Sequence, residues 1–211
     1  MVELKKIRDM YDYLSSETPV LSQADGAFVF GRADPLVAKR AAEVCKQGLV
    51  NYIMVTGGIG KDSGVLKKWN MPESYYLGAL LIGAHSIPES RLYLESKAKN
   101  ARENSDLGMD TIEANNLPHE NLIVVAHATS LRRLEAVLGN AAQERNFQTK
   151  LQKTKTRYDF NPGNPKDQKE TVEELLRLAD WPSKHWCLAQ EDLPQDLVEY
   201  ARAVKPSLQQ F

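Results

Sequence analysis

The sequence predicts an α/β fold on a doubly wound, mainly parallel sheet, followed by a small, mostly helical C-terminal part. Three observations carry this. Four short apolar runs, residues 27–30, 52–55, 92–94 and 122–126, are continuous rather than alternating, as in strands covered on both faces of a parallel sheet. Segments with helical start and stop signals separate them. The runs begin near residues 27, 52, 92 and 122, a spacing that suits repeated βαβ units with right-handed crossovers.

Taken in order, residues 3–15 place Leu4, Ile7, Tyr11 and Leu14 at helical spacing, so the chain opens with an amphipathic helix. Residues 35–47 have a proline at the start and Gly48 just past the end, the normal order of helix signals. Residues 72–84 open with Pro72-Glu73, and residues 100–115 and 130–143 complete the helical set. After residue 145 the pattern weakens. Residues 147–160 are polar and threonine-rich and read as an edge strand, and Asn161-Pro162-Gly163-Asn164-Pro165 is a turn. Residues 172–178 and 193–204 read as helices, broken by Trp181-Pro182. The organisation expected is a main domain over residues 1–150 and an extension over 151–211.

Composition narrows the function. A 211-residue chain with 42% apolar residues is long enough for one packed core, and 26% charged residues give an ordinary hydrated surface. A net charge of -1 makes no electrostatic case for nucleic acid or an anionic membrane. No window reaches the ~20 apolar residues of a membrane span, and the N-terminus lacks a signal-peptide pattern, so a cytoplasmic protein is expected. Cys45 and Cys187 fit no metal or redox spacing and read as free thiols. Nor do the scattered histidines form a metal motif, and no metal is expected.

In open parallel sheets, ligands bind outside the carboxyl ends of the strands. The turns there are Gly31-Arg32-Ala33-Asp34, the glycine-rich stretch from Thr56 to Gly64, the segment from Glu95 to Asn104, and His127-Ala128-Thr129-Ser130-Leu131-Arg132-Arg133. All are polar and three carry arginine, which predicts a pocket for an anionic or zwitterionic ligand. Thr56-Gly57-Gly58 matches neither a Walker A loop nor a dinucleotide fingerprint. It is either a ligand-contacting backbone or plain turn geometry. Asn100 is an N-cap candidate, whereas Asn104 is a poor helix former inside the next turn and suggests a functional role. His127 is a general-base candidate with a structural hydrogen-bonding role as the alternative. Of Arg132 and Arg133, adjacent on a helix, at most one faces the pocket.

In sequence order these pieces resemble the YdcF/SanA/ElyC-like family of bacterial proteins of unassigned activity. The features are a first strand ending in Gly31, a helix carrying Arg40, a strand ending Thr56-Gly57-Gly58, an acid at Glu73, and Glu95 followed by Asn100-Ala101-Arg102-Glu103-Asn104. The likeness covers residues 25–140, about half of the chain, and the Asn-x-x-Glu-Asn segment is its most specific part. Two positions depart from the family pattern: Thr129 or Ser130 stands where many relatives have histidine, and Ala101 where threonine is usual. The Thr-x-x-Arg-Arg form at residues 129–133 and the acid-x-Pro segment at Asp192-Leu193-Pro194 are similar to the soluble YdcF branch, while SanA-like and ElyC-like members carry membrane anchors. The resemblance implies a Rossmann-like domain and S-adenosylmethionine as a candidate ligand.

The function expected is small-molecule binding, to a nucleotide-like or phosphorylated compound, by an enzyme of the hydrolase or transferase kind. The alternative is a ligand-binding sensor or regulator without turnover. Glu73, Glu95, Glu103 and His127 are the acid/base candidates. Gly31, Arg32, Arg40, Thr56, Gly57, Gly58, Lys97, Asn100, Arg102, Asn104, Thr129 and Arg132 are the ligand-binding candidates, with Thr56 to Gly58 contributing backbone N–H groups.

Overall fold

A computed structural model describes residues 2–60 and 63–208. Five strands, β1 (Gly26–Phe30), β2 (Tyr52–Thr56), β3 (Leu92–Glu95), β4 (Asn121–Ala126) and β5 (Lys150–Lys155), form one sheet in the order β3-β2-β1-β4-β5. Every pairing is parallel, with Val29 opposite Val55 and Val125, and Thr56 opposite Glu95. Among the described residues seven α-helices surround it: α1 (Leu4–Leu14), α2 (Pro35–Lys46), α3 (Glu73–Gly83), α4 (Ala101–Ala114), α5 (Leu131–Glu144), α6 (Pro165–Asp180) and α7 (Gln195–Leu208).

The pleat sorts the strand residues between two cores. Ala27, Val29, Ile53 and Val55 pack against Val37 and Ala41 of α2 and Leu77 and Leu81 of α3. Phe28, Phe30, Met54, Leu122 and Val124 pack against Met109 and Ile112 of α4 and Leu131, Leu134 and Leu138 of α5. The sheet is therefore doubly wound and Rossmann-like. Its winding reverses between β1 and β4, which opens the crevice where such sheets take ligands.

The sheet continues past the end expected for the main domain, because β5 starts at Lys150 and pairs along all of β4. A third core joins Ile7, Met10, Tyr11 and Leu14 of α1 to Val137 of α5, Val172 and Leu175 of α6, and Val198 and Ala201 of α7. Helix α6 begins seven residues before the expected stretch, since Asn164 caps it on Lys166 N–H and Pro165 takes the first turn. Strand β3 departs from the expectation of cover on both faces. It lies at the sheet edge, and Leu94 is 37% exposed. The other edge is covered by the chain before β1, where Thr18 N–H bonds Lys153 O and Ser22 N–H bonds Gln152 Oε1. Both cysteines are free and buried.

Candidate functional site

At the β1/β4 reversal, the turn after β4 and the first turns of α6 meet the turn after β1. His127 follows β4 directly and is 3% exposed. Its Nδ1 lies 2.8 Å from Thr129 Oγ1, and Thr129 donates its hydroxyl to Glu170 Oε1 at 2.5 Å. Thr129 has one proton and gives it to a carboxylate that only accepts. Nδ1 of His127 therefore carries the hydrogen and donates to Thr129, which leaves Nε2 as a bare acceptor. Nε2 faces Asp34 Oδ2 across 3.8 Å, while Asp34 Oδ1 caps α2 on Leu36 N–H. Arg32 grips Glu170 with two parallel bonds of 2.8 and 3.1 Å. Tyr158 tilts against the imidazole at 4.6 Å between centroids and gives its hydroxyl to Asp167.

Electrostatics follow from this arrangement. Burial, reinforced by the Arg32 charge, pushes the His127 imidazole down to about 4 against the pull of Glu170 and Asp34, so it is neutral at pH 7. Burial alone would raise Glu170, but the bonded Arg32 guanidinium outweighs it and holds the carboxyl at about 2. Burial and the bond to Asp167 raise the Tyr158 phenol above its usual range.

A second group lies at the ends of β1, β2 and β3. Gly31 and Gly57 are required there. A Cβ on Gly31 would meet Thr56 O at 2.4 Å and Glu73 Oε2 at 2.8 Å, and Gly57 holds φ of 128°, a conformation side chains avoid. Glu73 opens α3 beside both glycines and accepts from Ser63 Oγ at 2.8 Å. Glu95 is 6% exposed, and one of its oxygens takes the N–H groups of Lys97 and Ala98. The other, Oε2, is buried with no hydrogen-bond partner among the described residues. Asn104, 8% exposed, has Oδ1 in the same condition. It lies one turn before Gly108, which sits against Phe28 and Thr56, so α4 carries Asn104 to the carboxyl edge of β1 and β2.

The remaining candidates divide. The N–H groups of Gly57 and Gly58 are not open to a ligand, because they bond Glu95 O and Ala98 O and tie β2 to the turn after β3. Thr56 is fully buried and gives its hydroxyl to Val29 O. Asn100 and Glu103 form the α4 capping box: Asn100 Oδ1 accepts from Glu103 N–H, and Glu103 accepts from Lys99 N–H and Asn100 Nδ2. That arrangement occupies both Glu103 oxygens. Lys97 is exposed at the β3 end.

Three arginines are not brought to the site. Arg40 points from α2 to Thr154 of β5 and to Glu43, Arg102 binds Asp106 and Glu144, and Arg132 binds Asp192 beside the Tyr13 ring. Their charges serve contacts between elements. Adjacent Arg133 turns inward and pairs with buried Glu174.

Asp34, Tyr158, Asp167 and Glu170 were absent from the candidates. For Glu170 a signal existed, since Asp167, Glu170 and Glu174 recur at helical spacing along α6 beside the buried stripe of Thr171, Leu175 and Leu178. No protein-family model matches the chain, and no curated protein matches it.

No helix of the described residues is long and apolar enough to cross a membrane. Among the same residues no group of three or more His, Cys, Asp and Glu is arranged to hold a metal ion. Two hollows lie away from the crevice. One of about 570 Å³ runs between α5 and β5 past Gly139, Leu151 and Leu188, and one of about 510 Å³ lies beside Arg40 and Thr154.

Proposed function

We propose that the chain is a small-molecule-binding enzyme whose ligand is nucleotide-like or phosphorylated, with S-adenosylmethionine among the candidates. The observation that carries this reading is the His127 imidazole at the β1/β4 reversal, neutral at pH 7 and oriented by Thr129 and Glu170 so that Nε2 faces Asp34. Such an imidazole can take a proton from water or a hydroxyl, the step with which a hydrolase or a transferase begins. Asp34 and Glu170 would favour the imidazolium that forms, against burial and the Arg32 charge. Gly31 and Gly57 let the ends of β1 and β2 and the start of α3 close together beside the same crevice.

The test is calorimetry of the full chain against S-adenosylmethionine, nucleotides and sugar phosphates, with a mass-spectrometric search for turnover in a metabolite extract. Product formed by the wild type and lost in His127→Gln, with binding retained, is expected. Equal turnover by the variant would remove His127 from the chemistry. A second reading, a sensor that binds without turnover, is favoured by the 3% exposure of His127. It requires saturable binding with no product.

A further inference from the structure

We infer that the carboxyl edge recognises its ligand through the ligand's hydrogen-bond donors, as the ribose hydroxyls of a nucleoside, rather than through a phosphate. The inference rests on the small-molecule reading above and deepens it. Its ground is the balance of donors and acceptors around the strand ends.

Backbone N–H groups and Arg32 at these turns are engaged by the protein itself, whereas the Lys97 ammonium stands exposed at the end of β3. Gly57 and Gly58 give their N–H groups to Glu95 O and Ala98 O, at 3.0 and 2.8 Å. At the start of α3, Glu73 N–H and Ser74 N–H go to Gly58 O and Gly57 O, at 3.1 and 2.8 Å. Asp34 occupies Leu36 N–H at the start of α2, and the Asn100–Glu103 box occupies the start of α4. Ala128 N–H, after β4, bonds Thr156 Oγ1. Arg32, the arginine nearest the crevice, holds both Glu170 oxygens. A phosphate seated on these turns would have to displace these bonds, with Lys97 as an exposed cation at the strand ends.

What the edge leaves over includes two acceptors and one hydroxyl, that of Ser74 in the first turn of α3. Glu95 Oε2 and Asn104 Oδ1 are buried with no hydrogen-bond partner among the described residues, on residues more than nine-tenths buried. Buried polar atoms in folded proteins are nearly always satisfied, so two such acceptors at one sheet edge point to a partner that arrives with hydrogen. At the β1/β4 reversal, His127 Nε2 and Asp34 Oδ2 face each other at 3.8 Å as two further acceptors. A vicinal diol offers two donors, the chemistry that a carboxylate oxygen and an amide oxygen at the same sheet edge accept.

Calorimetry of the full chain with adenosine, adenosine 5′-monophosphate, 2′,3′-dideoxyadenosine and inorganic phosphate tests this. Adenosine and its monophosphate are expected to bind alike, with inorganic phosphate no competitor. Loss of the diol, or Glu95→Gln, is expected to weaken adenosine by roughly tenfold to a hundredfold, the range for a hydrogen bond to a charged group. The dideoxy ligand needs no variant, so this arm does not depend on a mutant folding. If the monophosphate binds more than tenfold tighter than adenosine and phosphate competes, the donor inference is overturned and the small-molecule site stands. Tight binding of the dideoxy compound overturns it in the same way. If none of the four binds, the nucleotide reading falls, and the inference falls with it.

Discussion

Replacing Glu170 by glutamine removes the charge at the centre of the β1/β4 network while keeping its shape. In the native chain the carboxylate takes two bonds from Arg32 and one from Thr129. Its pKa of about 2, against an ordinary value of 4.5, is a shift worth on the order of 3 kcal/mol at neutral pH. The folded value is depressed, so this stability is fully present above the unfolded value of 4.5 and is lost as pH falls through about 2. Glu170→Gln is therefore expected to lower the unfolding free energy by about 3 kcal/mol at pH 7. For a chain of this length that corresponds to roughly 6–12 °C in Tm. The charge-dependent part of the gap shrinks to about 1 kcal/mol at pH 3. Urea denaturation of both proteins at pH 7, 5, 4 and 3 measures this. A gap that stays constant across the series, or no gap at pH 7, would refute the account of Glu170 as a carboxylate held by Arg32.

Three further outcomes are expected. The His127 ring should titrate by NMR with a midpoint near 4, because burial and Arg32 disfavour its charge, and Arg32→Met should raise that midpoint; a wild-type midpoint at 6 or above contradicts the network. As the unfolded imidazole gains its proton near 6.5 and the folded one only near 4, His127 lowers stability as pH falls through that window. Asn100→Ala should cost about 1 kcal/mol in urea denaturation, the value of an N-cap, and leave adenosine binding unchanged; lost binding at full stability would return Asn100 to the site. Gly108→Ala should cost about 1–3 kcal/mol, because its Cβ would lie 2.4 Å from Phe28 and 2.7 Å from Thr56; an unchanged denaturation midpoint contradicts the packing of α4 on the sheet.

The fold was legible because its signals are local. The apolar runs at 27–30, 52–55 and 122–126 lie within buried strands, and Pro35 and Gly48 bracket α2 as the start and stop rules require. The exposure of Leu94 was not legible, since strand order decides which run becomes an edge. At the site, His127 and Thr129 lie two residues apart and could be seen together. Arg32 and Glu170 are separated by 138 residues, and nothing near either names the other. The partners of the arginines were hidden for a related reason. Arg40, Arg102 and Arg132 have the charge a ligand pocket wants, but their guanidinium groups reach acids and hydroxyls on neighbouring elements instead. The glycines at 57 and 58 signalled close backbone approach: Gly58 is approached by the turn after β3, and Gly57 by Gly31 and Glu73.

The central claim is that the ligand is held at the carboxyl edge around the β1/β4 reversal. A crystal structure of the full chain grown with adenosine tests it most directly. The account expects the nucleoside beyond Gly31 and Gly57, within hydrogen-bonding distance of Glu95 Oε2 or Asn104 Oδ1 and with His127 Nε2 facing it. Adenosine seated instead in the hollow bounded by Gly139, Leu151 and Leu188, with the strand-end acceptors untouched, would contradict it.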